Sequence, residues 1–157
     1  MTEELFQAEI IRQPLEAQTN AEAITKMGKI MQDAGFVEAS YVQSVLTREK
    51  DFPTGLKLAN VCVAIPHAMP EDNVKKSGIG AARLLHPVKF HSMEDPSQTV
   101  EAQILFLLAL RDRNAHLEIL KRLFLSFQKE DLLQGLLQSK DEGELLEALR
   151  KNLALAS

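Results

Sequence analysis

The chain has 157 residues, a formal net charge of −4 at pH 7, 45% hydrophobic and 25% charged residues, which suits a single soluble domain over 1–157 and excludes disordered and fibrous classes. It has no tryptophan, one tyrosine (Tyr41) and no basic excess, so no nucleic-acid partner is expected. The longest apolar run, residues 104–110, is far below the roughly 20 residues of a membrane-spanning helix, Met1-Thr2-Glu3-Glu4 is unlike a signal peptide, and Cys62 has no disulfide partner. A cytoplasmic protein without direct membrane insertion is expected.

Residues 6–11 read as an edge strand. Thr19-Asn20-Ala21-Glu22 is a capping box that opens a helix carrying Ala23, Ile24, Met27, Ile30 and Met31, stopped at Gly35. A second helix starts between Glu38 and Ser40, carries Val42, Val45 and Leu46 on one face, and ends with Arg48 and Glu49 in its last turn before the turn Phe52-Pro53-Thr54-Gly55. Residues 61–65 are apolar on both faces and closed by Pro66, as in an interior strand that opens into a loop. Residues 79–85 and 88–90 are predicted as two strands split at Pro87, and residues 102–110 as another. From Asp112 the pattern turns helical, with Asp112 and Asn114 as capping candidates and Leu117, Leu120, Phe124 and Phe127 as one apolar stripe. Two short helices follow, over 132–137 and 145–153. There is no internal repeat, and helices flanking a mixed, partly parallel β-sheet is the expected α/β architecture.

Four residues at the ends of predicted elements are candidates for chemistry: His67, Arg48, His116 and Glu71. His67 stands just past a buried strand, where a neutral imidazole nitrogen is free to attack, accept a proton or bind a metal. Arg48 suits the helix dipole in its last turn, but a guanidinium also matches phosphoryl oxygens, and the short connection to residue 61 brings it back toward His67. His116 in a first helical turn is equally a surface histidine and an anion ligand kept neutral by the dipole. Glu71 reads on spacing alone as a solvated loop carboxylate. His86 and His91 lack the spacing of a helical metal pair, and Cys62 reads as a small buried hydrophobe. No Gly-rich phosphate loop, paired-cysteine zinc signature or serine nucleophile elbow is present.

Taken together, Leu46-Thr47-Arg48-Glu49, Phe52-Pro53-Thr54-Gly55-Leu56, Val63-Ala64-Ile65-Pro66-His67 and Arg113-Asn114-Ala115-His116 resemble the enzyme IIA (EIIA) domain of the bacterial sugar phosphotransferase system. The resemblance is to the fructose/mannitol type, spans nearly the whole chain, and in its Arg-Glu-x-x-Phe-Pro-Thr-Gly stretch is greatest to the galactitol branch. It departs from many members at Ala68, after the Pro-His pair, and at Leu58-Ala59-Asn60. The resemblance implies a mixed sheet between helices and a phosphotransferase relay. His67 would take a phosphoryl group from the carrier HPr and pass it to a cysteine of a separate EIIB, with the sugar crossing the membrane through a separate EIIC. It also implies that Arg48 and His116 orient the phosphoryl oxygens, that Glu71 is a supporting carboxylate, and that no cofactor or metal is needed. The partners are expected to dock in turn on a shallow apolar patch around His67 that includes Ala68 and Met69.

Two rival readings have distinct requirements. A regulatory phospho-acceptor module of the same fold would use the identical site to control another protein. A metal-dependent hydrolase would need His67, His86, His91 and His116 to converge.

Overall fold

The computed structural model describes residues 5–69 and 73–153. Its centre is a five-stranded mixed sheet in the order β1-β4-β5-β3-β2, formed by β1 (Ile11–Leu15), β2 (Gly55–Lys57), β3 (Cys62–Ala64), β4 (Gly78–His91) and β5 (Thr99–Ala109). β4 and β5 pair antiparallel, as do β2 and β3, whereas β1 runs parallel to β4 and β3 parallel to β5.

The sequence of β5 dictates its place in the middle. Side chains alternate across a strand, and here both sets are apolar: Ile104, Phe106 and Leu108 pack into one core, Leu105, Leu107 and Ala109 into the other. All six are essentially inaccessible to solvent, and burying each of the larger ones is worth roughly 1.5–3 kcal/mol. Helices α1 (Asn20–Asp33) and α2 (Ser40–Asp51) cover the second face through Ile24, Met27, Met31, Tyr41 and Val45. Helices α3 (Arg113–Phe127), α4 (Glu130–Leu137) and α5 (Glu142–Asn152) cover the first through Leu123, Phe127, Leu133, Leu136, Leu145 and Leu149.

Local chemistry sets the helix ends. Thr19 Oγ1 accepts from the Glu22 N–H at 3.1 Å, and Glu22 reaches back to the Gln18 N–H rather than to that of Thr19 itself. Gly35, at φ +85°, turns the chain out of α1 in the left-handed conformation that glycine adopts without steric penalty. Asp112 caps α3 through a 2.9 Å bond from the Asn114 N–H.

Four expectations are corrected. The edge strand is Ile11–Leu15, while Ala8–Ile10 forms a 3₁₀ turn; Pro14 is tolerated because β1 lies at the sheet edge. Residues 78–91 form one strand, because the register shifts between Arg83 and Val88 and so absorbs Pro87 in an exposed irregularity instead of breaking the ladder. The strand β2 was not anticipated; its three residues are too short to show a period. The buried face of α3 is His116, Ile119, Leu123 and Phe127, whereas Leu117 is 62% exposed and Leu120 and Phe124 are half-buried. Apolar residues nearly encircle this helix, so periodicity alone does not decide which stripe faces the sheet.

Candidate active site

The segment after β3 is pinned from both sides. On one side the Ile65 N–H donates to the Thr54 carbonyl at 3.3 Å, extending the β2–β3 ladder by one bond; on the other the Leu108 N–H donates to the Pro66 carbonyl at 3.1 Å. The Tyr41 hydroxyl donates to the Leu108 carbonyl, and burial pushes that phenol far above its ordinary pKa, so it keeps the proton it donates. The chain therefore leaves the sheet at His67 with its backbone held, and His67 pairs once more with Leu108 before the loop begins.

His67 is 9% exposed and its Nδ1–H donates to the Ile65 carbonyl at 2.8 Å. A carbonyl only accepts, so this bond places the proton on Nδ1 and leaves the Nε2 lone pair free. Burial holds the His67 pKa below its ordinary value, against the Ile65 bond, and the nearby Arg48 charge lowers it further. The ring is thus neutral at neutral pH, as a nucleophile requires.

His116, in the first turn of α3, lies with its ring centroid 5.0 Å from that of His67 at an interplanar angle of 58°. Its Nδ1 is buried and has no hydrogen-bond partner among the described residues. A buried acceptor without a partner costs less than a buried N–H without one, so the proton belongs on Nε2. Burial, then the His67 and Arg48 charges, bring its pKa down to about 4. Linkage fixes the sign: the unfolded histidine takes a proton near pH 6.5 and the folded one only near pH 4, so stability falls as pH drops through that interval. Replacing His116 by glutamine should remove that loss. Urea titrations at pH 7 and pH 5 should show wild type losing up to about 2 kcal/mol more than the variant.

Arg48, in the last turn of α2, is half-buried. Its guanidinium carbon sits 4.9 Å from the centroid of the Phe52 ring and one terminal nitrogen is 3.4 Å from Met69 Sδ. Its Nε is buried without a partner among the described residues. Arg48, Phe52, Thr54, His67, Leu120 and Phe124 are among the walls of a cleft of about 340 Å³. Of its walls Phe52 is 61% exposed, and Met69, against Arg48, is 44% exposed.

The structure therefore brings His67, His116 and Arg48 together. Glu71 lies outside the described residues. Ala68, expected in the exposed patch, is instead buried in the core beneath α1 and α2. His86 and His91 are exposed on β4, and no group of three or more His, Cys, Asp or Glu side chains among the described residues is placed to hold a metal ion. The convergence that a metal-dependent hydrolase requires is not formed among them.

Sequence reasoning missed Glu49 and Thr54. Glu49 is 7% exposed, and its two carboxylate oxygens accept from the Thr54 N–H at 2.9 Å and the Thr54 hydroxyl at 2.8 Å. Burial raises its pKa to about 7, with the Thr54 bonds and His91 pulling the other way. The signal was present: Tyr41, Val45 and Glu49 recur at intervals of four, one face of α2.

Known families and structures resemble this chain over most of its length. Residues 4–152 match the family model described as "Phosphoenolpyruvate-dependent sugar phosphotransferase system, EIIA 2". The ascorbate-specific EIIA component of Escherichia coli K12 is 29% identical over 158 residues, 99% of either chain. The galactitol-specific EIIA component of the same strain is 29% identical over 117 residues, 74% of this chain and 77% of that protein. Enzyme IIAMtl of E. coli, solved by NMR in complex with phosphorylated enzyme IIBMtl, superimposes with a TM-score of 0.75 at 30% identity, covering 92% of this chain and 96% of that one. With a family match that runs from the N-terminal turn to the last helix, the chain belongs to the EIIA type 2 family, the phosphoryl-transfer components of sugar uptake by the phosphotransferase system.

Proposed function

We propose that His67 is the phosphoryl acceptor: its Nε2 attacks the phosphohistidine of HPr, and the group then moves to a cysteine of a separate EIIB. In the first step a P–N bond forms at Nε2 as the P–N bond to HPr breaks; in the second that bond breaks as a P–S bond forms. The observation that carries this reading is the free Nε2 of a neutral His67 near Arg48, whose buried Nε has no partner among the described residues. A buried donor without a partner marks a place for an anion, and Arg48 and His116 would hold the equatorial oxygens while the in-line atoms exchange. The positive end of α3 adds to the attraction.

The exposed apolar side chains Phe52 and Met69 beside Arg48, with Leu117 one residue after His116, make up the docking surface we assign to both partners, used in turn and released quickly, as a relay needs. That E. coli enzyme IIAMtl assembles with phosphorylated IIBMtl supports an EIIB as the acceptor here. The cargo is a sugar or polyol, galactitol in the reading the sequence favours, carried through a membrane EIIC.

The decisive experiment incubates the chain with phosphoenolpyruvate, enzyme I and HPr, then measures intact mass and maps peptides at mildly alkaline pH, where phosphohistidine survives. One HPr-dependent phosphoryl group on His67 is expected. No modification alongside an HPr that is itself phosphorylated would refute the relay.

A further inference from the structure

Glu49 makes no contact with the cleft chemistry directly, yet it is the buried end of a chain of bonds that leads to the nucleophile. Both of its oxygens are occupied by one residue, Thr54, through its N–H and its hydroxyl. Thr54 is 3% exposed, and its carbonyl accepts from the Ile65 N–H. The Ile65 carbonyl in turn accepts from His67 Nδ1.

A buried glutamate at the end of a helix is costly unless something is gained, because desolvation disfavours its charge. Here the gain is positional. Thr54 lies between the exposed Phe52 and the start of β2, where one weak ladder bond of 3.3 Å ties it to Ile65. Two acceptors from Glu49 fix its peptide plane and side chain together. Gly55 completes the fit: a Cβ there would meet the His91 carbonyl at 2.7 Å, so β2 lies close against the end of β4 with no room to shift.

We propose that Glu49 is a positioning residue for His67: by clamping Thr54 it holds the Ile65 peptide, and through the Ile65 carbonyl it keeps the His67 proton on Nδ1 and Nε2 free. The proposal rests on His67 being the phosphoryl acceptor, but its first readout needs no transfer.

The test uses the full chain with ¹⁵N-labelled histidine, as wild type, Glu49→Ala, Glu49→Gln and Thr54→Val. Ring ¹⁵N shifts of unphosphorylated His67 report the tautomer. Wild type should show the Nδ1–H form alone, and Glu49→Ala a mixture in which Nε2–H grows in. The glutamine amide can accept from the Thr54 N–H and donate to its hydroxyl, so Glu49→Gln should restore most of the Nδ1–H form; Thr54→Val, losing one of the two bonds, should lie between. In HPr-dependent phosphorylation Glu49→Ala should lose on the order of 10- to 100-fold in kcat with KM for phospho-HPr unchanged, and Glu49→Gln should recover it. If Glu49→Ala does not fold, the Thr54→Val tautomer decides. A wild-type tautomer in the folded variants would overturn the proposal and leave Glu49 a stabilising residue only. Altered tautomers in a protein that HPr never phosphorylates would uphold the positioning and refute the relay instead.

Discussion

Replacing His67 by alanine should leave a folded protein that takes no phosphoryl group from HPr. Among the described residues the ring's hydrogen bond goes to the carbonyl two residues back, and its neighbour ring is His116. Losing such a bond costs about 1 kcal/mol, a small part of the stability of a domain whose central strand is buried on both faces. Stability should change little. Transfer, by contrast, should vanish rather than slow, because no other side chain among the described residues that line this cleft offers a free imidazole nitrogen. His116 is the nearest substitute, but burial and the Arg48 charge still hold its pKa below the ordinary value, and its Nδ1 is buried. Label on His67→Ala at the wild-type rate, in a phosphorylation assay with circular dichroism as the folding control, would move the nucleophile elsewhere.

What the sequence made legible follows from how strongly local chemistry constrains each piece. Pro66 ends an apolar run, so the position of His67 at a strand opening was readable, and so were the helix-terminal positions of Arg48 and His116. That the three meet was readable only from the combined motif, since each side chain alone has an ordinary reading. Tertiary choices were harder. Two apolar stripes compete on α3, and the sheet selects one; of the other, Leu120 and Phe124 line the cleft and Leu117 is left exposed. Glu49 was hidden for the opposite reason: a glutamate in a last helical turn reads as solvated, and its burial becomes affordable only when Thr54, five residues on, folds back over it. The edge strand was misplaced because Phe6 and Ile10 are buried without being in a strand.

Arg48→Ala should be the most damaging change that leaves the nucleophile in place, and it separates two roles that one side chain combines. Its charge lowers the pKa of His67, after the larger effect of burial, and also that of His116. Removing it should raise the His67 pKa, so the acid limb of the pH–rate profile, where the imidazole becomes protonated and inactive, should move to higher pH. Its second role in the proposed relay is geometric: a guanidinium packed on Phe52, with a buried Nε that has no partner among the described residues, suits phosphoryl oxygens. Losing a preorganised donor of this kind costs on the order of 10²–10³ in rate. Arg48→Lys distinguishes the two. A lysine keeps the charge and should keep the acid limb near its wild-type position, but it lacks the planar fork and should recover little of the rate. If lysine restores both, electrostatics alone suffices at this site and the fixed donor geometry of Arg48 contributes nothing to transfer; if the alanine variant transfers at the wild-type rate, Arg48 does not touch the phosphoryl group at all.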